Sequence, residues 1–387
     1  MSSKRLCIFW VILFVVVASS AEAVSFLNLY VAEIFRPGSV LEIFLYRHFS
    51  TITLEDVKKF KNNLYDPYLG WDYEPSSGYE GVNRAGKSYR MSWGSDGARE
   101  DGLAGHRSFI TTYGDSFAAG EEVNNDETWQ HFLSQQIGKR VANFGTSGYG
   151  TDQALMKFKL HIHQSIISPV SILSIHEENI GRIINHFRPF YRPKDGLTLG
   201  FKPRFSCLPT GILVLKPNPL ETFREDIQYL RSLAESLVEA DPYAREKIRL
   251  TAPYSLRLMQ LGAEFLRRRF GAESWLVPGS LDLWAKPETA HLMRCIVDDF
   301  IDLCRRSHSK PVVLFIPRSG KPNSHGEAPA YDRFMRQLKI RHRDAVIVDL
   351  GAQEFDPKRI RVTPSSGHLS PYGNRVVATT LRHALKL

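Results

Sequence analysis

This chain of 387 residues has only four cysteines, which removes one class of protein at once. A small disulfide scaffold needs a dense and paired cysteine pattern. Cys7 lies in an apolar N-terminal run, which leaves Cys207, Cys295 and Cys304. Three is an odd number, so no fully paired framework is available. Cys295 and Cys304 fall in one expected helix and are not expected to bond each other. Buried free thiols are therefore the expectation. Zinc-type patterns are missing too. No second histidine stands four residues after His176, and His161 and His163 are two apart, a spacing that does not put them on one side of a helix. No metal is expected. Internal repeats and low-complexity tracts are absent, which excludes repeat arrays and compositionally disordered chains.

Acidic residues are outnumbered, 41 to 50 Lys and Arg, for a net charge of +9. Such an excess can signal a nucleic-acid partner. Here the basic residues are scattered, and the one tight run, Arg267-Arg268-Arg269, reads as a solvated helix end. No nucleic-acid-binding signature accompanies it, so no nucleic-acid partner is expected. An anionic glycan or a membrane face would suit the charge better.

What is present begins with an export signal. Lys4 and Arg5 precede the apolar run Leu6 to Val17, and Ala21-Glu22-Ala23 fits a small-x-small cleavage site. Residues 1–23 are thus a signal peptide or the start of a membrane anchor. The anchor reading draws on the apolar stretch Val24 to Phe35. Glu22, Asn28 and Glu33 interrupt that stretch, and a span wants ~20 nearly uninterrupted apolar residues, which favours cleavage. Either way the rest of the chain is expected outside the cytoplasm, with membrane association through the N-terminus as the second option.

Residues 24–100 are rich in turn formers and suggest an irregular or short-stranded leader packed on the main domain. Alternation then begins. Phe109 to Thr112, Val141 to Asn143 and Val170 to Ile175 read as strands, with helices at Glu127 to Ile137 and Thr151 to Ile167. Residues 185–222 lose the period, and three helices follow at Phe223 to Ala240, Ser255 to Arg269 and Pro287 to Arg305. Strands return at Pro311 to Pro317 and Ala345 to Asp349, with helices at Tyr331 to Arg341 and Pro371 to Leu385. The fold class is α/β: a parallel sheet covered by helices on both faces, over 101–387, with a long helical insertion at about 185–310.

Three segments stand where such a sheet presents its chemistry, at the carboxyl ends of strands. Gly114-Asp115-Ser116 follows the first strand and offers a hydroxyl nucleophile. A serine needs an adjacent base, and His368 in Gly367-His368-Leu369-Ser370 is the candidate. Asn143-Phe144-Gly145-Thr146-Ser147-Gly148 follows the second strand, a glycine-rich loop whose backbone can approach a ligand closely. Asn179, after the third strand, can donate a side-chain N–H to an oxyanion. One string misleads: Gly81-Val82-Asn83-Arg84-Ala85-Gly86-Lys87-Ser88 matches a phosphate loop letter for letter. That motif needs a strand before it and a helix after it, and neither context fits.

Taken in order, these blocks resemble the SGNH/GDSL hydrolase family across roughly residues 109–387. The resemblance implies a flavodoxin-like three-layer sandwich and no cofactor. It implies Ser116 as nucleophile, His368 as base, and Gly148 and Asn179 as oxyanion donors. Tyr65 to Trp71 also looks like the leader of exported bacterial members associated with cell-surface glycans. Two departures stand out. The third block keeps only its asparagine, and Ser365 occupies the place, three residues before the histidine, where the family usually has aspartate. A Ser–His dyad, a carboxylate from elsewhere such as Glu177 or Glu178, or a weakened enzyme would each account for that gap. The activity implied is an exported serine esterase removing an O-acetyl or other acyl group from a cell-envelope or extracellular polysaccharide. An O-acetyltransferase with the same site and a catalytically reduced glycan-binding scaffold are the alternatives.

Overall fold

The computed structural model describes residues 3–36, 38–193, 196–269, 280–317, 329–353, 355–356, 358–363 and 366–387. The chain forms two compact units, each assembled from separate stretches. One comprises Met1–Lys58, Phe187–Gly200 and Arg224–Gly279; the other comprises Lys59–His186, Phe201–Phe223 and Ser280–Leu387. The stretch 185–310 is therefore shared between the two units.

The second unit is built on five parallel strands: β1 (Ile110–Tyr113), β2 (Val141–Asn143), β3 (Val170–His176), β4 (Lys310–Ile316) and β5 (Val346–Asp349). Their spatial order is β5-β4-β3-β1-β2, the flavodoxin-like winding. β3 and β4 are central, covered on both faces, and their sequences read accordingly as near-continuous apolar runs. Helices Trp129–Ile137 and Pro371–Leu385 pack together on one face, where Trp129, Leu133, Val377 and Leu381 join the strands in one core. Helices Thr151–His163 and Pro287–Arg306 lie against one another and against the sheet as well, completing the helical cover. The winding reverses between β1 and β3, and that edge is where a doubly wound sheet binds its ligand.

Residues 24–63 are mostly helical rather than irregular, with helices Leu41–Ser50 and Leu54–Asn63 following the N-terminal helix Ser3–Phe35. In Leu41–Ser50 the buried Leu41, Phe44, Leu45 and Phe49 recur at helical spacing. Short strands begin only at Tyr65, where the turn formers concentrate; the main one is the antiparallel hairpin Gly78–Val82 and Ser88–Ser92. The phosphate-loop lookalike is the end of this hairpin. Asn83 Oδ1 accepts the backbone N–H groups of Ala85 and Lys87, 3.0 Å each, and so closes the turn.

The free-thiol expectation is corrected at two of three cysteines. Cys207, at the end of strand Arg204–Cys207, is bonded to Cys295 on the Pro287–Arg306 helix, with Cα atoms 6.5 Å apart. Only Cys304 of the three is a buried free thiol. Counting cysteines could not reveal a pairing across 88 residues of chain. Closing a loop of that length is worth about 4–5 kcal/mol in the chain-entropy model. Alkylation of the denatured chain is accordingly expected to label two thiols, Cys7 and Cys304, and four after reduction. Cys207→Ser should lower the urea midpoint markedly, and a variant as stable as the parent would show that the bridge contributes nothing.

Candidate active site

β1 runs out at Tyr113, and the chain turns sharply through Gly114 into the short helix Ser116–Ala119. Asp115 caps that helix: its carboxylate accepts the Phe117 N–H at 3.0 Å and Arg182 Nη1 at 3.1 Å. Arg182 also donates to the Tyr149 carbonyl at 2.9 Å, so one buried guanidinium joins the serine turn to the loop after β2. That loop packs tightly on the serine turn. A Cβ at Gly145 would sit 2.3 Å from the Ala119 nitrogen, so no larger residue fits. Thr146 N–H donates to the Gly114 carbonyl at 3.0 Å. Gly148 has φ +82, a conformation that L side chains rarely adopt. Trp71 and Tyr149 brace the loop from the leader side: the Trp71 indole donates to the Ser147 carbonyl, and the Tyr149 hydroxyl to the Trp71 carbonyl.

His368 arrives from the other end of the chain. It lies in strand Ser366–Leu369, which pairs with Arg361–Thr363, and Ser370 then caps the closing helix. Its Nε2 lies 2.9 Å from Ser116 Oγ. Its ring also packs on Phe117, which is stacked on His176 at 4.1 Å between centroids. Both ring nitrogens of His176 are buried without a partner among the described residues. Burial pushes its pKa well below the usual histidine range, so it acts as a neutral aromatic slab.

The carboxylate beside the histidine ring is Glu122. Its Oε2 is 2.8 Å from His368 Nδ1 and also accepts the His368 backbone N–H at 2.9 Å. Its Oε1 accepts the Arg84 backbone N–H at 3.0 Å, from the hairpin turn that mimics a phosphate loop. Burial alone would raise this carboxyl, but the bonds from the His368 ring and backbone and from Arg84 outweigh it and hold the pKa at about 2. Neither Glu177 nor Glu178 is the carboxylate bonded to the His368 ring, which is Glu122. Glu178 faces Arg182 at 3.9 Å, and the Glu177 carbonyl accepts the Trp284 indole. Ser365 lies outside the described residues. A second carboxylate, Glu121, approaches the Nε2 side of the same imidazole at 3.7 Å.

Glu122 stands at φ +70, left-handed for a residue with a side chain, two residues after the left-handed Gly120. That backbone costs roughly 1–2 kcal/mol. Buried Arg99 holds the loop in this shape, donating to the carbonyls of Ala119, Gly120 and Val123 at 2.5, 2.6 and 2.5 Å. Three hydrogen bonds to a carboxylate, about 1.5–3 kcal/mol each, more than offset the backbone cost. Sequence reasoning missed Glu122, Arg99 and Arg84. The one available signal was an acidic pair, Glu121-Glu122, five and six residues after the serine.

Asn179 opens the short helix that follows β3, beside β1 in the sheet. Its side chain is buried, and among the described residues neither Nδ2 nor Oδ1 has a hydrogen-bond partner. An amide buried and unsatisfied costs about 1–3 kcal/mol, which a bound carbonyl or oxyanion would relieve.

No family model matches the chain, and no curated protein matches it by sequence. The solved structures it is similar to include a lipolytic protein, an acetylxylan esterase and an alpha/beta hydrolase, all at low identity. One is a protein assigned to the lipolytic G-D-S-L family from Desulfitobacterium hafniense DCB-2, 9% identical, TM-score 0.33, covering 71% of this chain and 98% of that one. A catalytic mutant of the acetylxylan esterase Axe2 from Geobacillus stearothermophilus is 10% identical, TM-score 0.35, covering 73% and 96%. An alpha/beta hydrolase from the metagenome of Lake Arreo, LAE5, is 13% identical, TM-score 0.36, covering 72% and 95%. Identities this low carry no information about substrate. The α/β fold, a five-stranded parallel sheet flanked by helices, has the flavodoxin-like strand order.

Proposed function

We propose that the chain is an extracytoplasmic serine esterase that releases an acyl group, in the first instance acetyl, from a polysaccharide. The observation that carries this reading is the continuous hydrogen-bonded chain Ser116 Oγ to His368 Nε2, 2.9 Å, and His368 Nδ1 to Glu122 Oε2, 2.8 Å. Nucleophile, base and orienting carboxylate are the parts acyl transfer needs. The catalytically reduced scaffold was suggested by the missing aspartate and the long insertion; on the first count Glu122 favours the esterase reading.

In the proposed reaction His368 Nε2 takes the Ser116 proton as Oγ bonds to the ester carbon. The carbonyl electrons move onto oxygen, where the Ser116 and Gly148 N–H groups and the Asn179 amide would receive the charge. Collapse breaks the bond to the sugar oxygen, which takes the proton back from Nε2 and leaves as an alcohol. Water then attacks the acyl-serine with the same base, releasing the acid and restoring Ser116. A sugar hydroxyl in place of that water would make the product a transferred ester. Glu122 keeps the imidazole in the tautomer with Nδ1–H and stabilises the imidazolium as it forms.

Purified protein is expected to hydrolyse p-nitrophenyl acetate. Ser116→Ala and His368→Ala should each lower kcat/KM by at least about 10³-fold, and Glu122→Gln by about 10²–10⁴-fold. A well-folded wild-type protein without activity above background would remove the esterase reading. So would a Ser116→Ala variant of undiminished rate.

The carboxylate also sets a pH expectation. Its folded pKa, about 2, lies below the ordinary 4.5. Its contribution to stability is therefore fully present above about pH 4.5 and is lost as pH falls toward 2. Urea midpoints of the wild type and Glu122→Gln should differ most above pH 5 and converge near pH 2. A gap that stays constant down to pH 2 would show that the ionised form carries no such stabilisation.

A further inference from the structure

The N-terminal helix is built inside out. It is long and apolar enough to cross a bilayer from Leu6 to Phe35. Every side chain from Leu6 to Ala21 is exposed. From there a stripe turns inward: Ser25, Leu29 and Glu33 are buried, with Glu22 and Ala32 half-buried. Spacings of three and four put these on one helix face. Three of the five are polar. The outward face carries Val24, Leu27, Val31, Ile34 and Phe35, the last 77% exposed. A helix facing water would have its polar residues outside and its apolar ones inside.

The inward polar groups are built into the folded unit. The Glu33 carboxylate accepts the N–H groups of Gly38, Ser39 and Val40, the last two at 2.8 Å, at the start of helix Leu41–Ser50. The Glu22 carboxylate accepts the N–H groups of Tyr254 and Ser255 and the Ser255 hydroxyl, capping helix Tyr254–Arg269. Leu29 packs with Val40, Ile43 and Leu258 between them. Two polar groups on the exposed part bond within the helix itself. Ser20 Oγ donates to the Val16 carbonyl at 2.8 Å and Asn28 Nδ2 to the Val24 carbonyl at 2.9 Å. A lipid-facing helix requires such internal pairing.

We propose that this helix is retained as a bilayer anchor, uncut after Ala23, and that residues 22–35 form a wall of the folded unit whose outer face meets lipid. The bilayer is the occupant because the bare face continues that of the 6–21 segment without a break. Thirty residues rise about 45 Å, against about 30 Å of hydrocarbon and about 40–45 Å for the bilayer with its headgroup regions, so the last ten or so residues present their outer face to the interfacial layer. Lys4 and Arg5 at the start hold that end in the cytoplasm. Cleavage after Ala23 would remove Glu22 and strip the cap from the 254–269 helix. The fold thus argues against the cut that the Ala21-Glu22-Ala23 string suggests.

The full chain, expressed with its own N-terminus in a bacterium, decides the matter by fractionation and intact mass. The expected result is a chain that retains residues 1–23 and stays in the membrane pellet through alkaline carbonate. Ala23→Phe, which blocks a small-residue cleavage site, should leave its size unchanged. In detergent, Glu22→Gln should speed amide exchange at Tyr254 and Ser255 by about tenfold, which reads the proposed cap directly. A soluble chain beginning at Val24 overturns the proposal. An uncut chain released by carbonate as a dimer overturns the lipid contact and gives the bare face to a second copy. None of these readouts uses activity, so they stand apart from the esterase test.

Discussion

The hydrogen bond between Glu122 and His368 is the contact on which the candidate site depends. It joins residues 246 positions apart and brings the closing hairpin onto the loop after the nucleophile. Its formation requires a left-handed glutamate, and that in turn requires the carbonyls of Ala119, Gly120 and Val123 to converge on the Arg99 guanidinium. Removing the arginine would leave three buried carbonyls short of a donor and a strained turn without support. The carboxylate is thus placed by a small buried network. Every member of that network lies in the 84–125 region or at the histidine.

That network gives the segment before the first sheet strand a defined job. Arg84 offers its N–H to Glu122, Trp71 braces the Ser147 carbonyl, and Asp72 accepts from Lys157 at 2.7 Å and from the Thr146 hydroxyl at 3.0 Å. These contacts tie the segment to Glu122, to the loop after β2 and to helix Thr151–His163. The lookalike phosphate loop illustrates how local letters and local physics part company. Its Gly86 and Asn83 serve a β-turn, and the Arg84 backbone meets a side-chain carboxylate.

The sheet was legible in the sequence because its strands are buried on both faces. Val170-Ser171-Ile172-Leu173 and Val312-Val313-Leu314-Phe315 can hardly be anything but interior. Ser116 and His368 were legible as candidates because a hydroxyl nucleophile and its base have few residue types to choose from, and the serine stood at a strand end. Glu122 was not, since its role arises from a backbone conformation and a contact 246 residues away, neither of which has a local signature. The Cys207–Cys295 bridge was hidden for the same reason. In residues 24–63, helical periodicity was overshadowed by the turn formers that follow.

The position of the carboxylate changes how such a site assembles. An orienter three residues before the histidine would travel with it, so base and orienter would be prearranged before docking. Here the orienter travels with the serine, six residues away on the same turn. Docking the histidine must therefore form both of its ring hydrogen bonds at once, to Ser116 and to Glu122. The loop holds the donor and the acceptor for the imidazole, the Ser116 hydroxyl and the Glu122 carboxylate, through Asp115 and Arg99. The cost is the left-handed backbone, about 1–2 kcal/mol. The gain is that nucleophile and carboxylate share one rigid support, and rigidity at that support governs whether the imidazole lies in line with both.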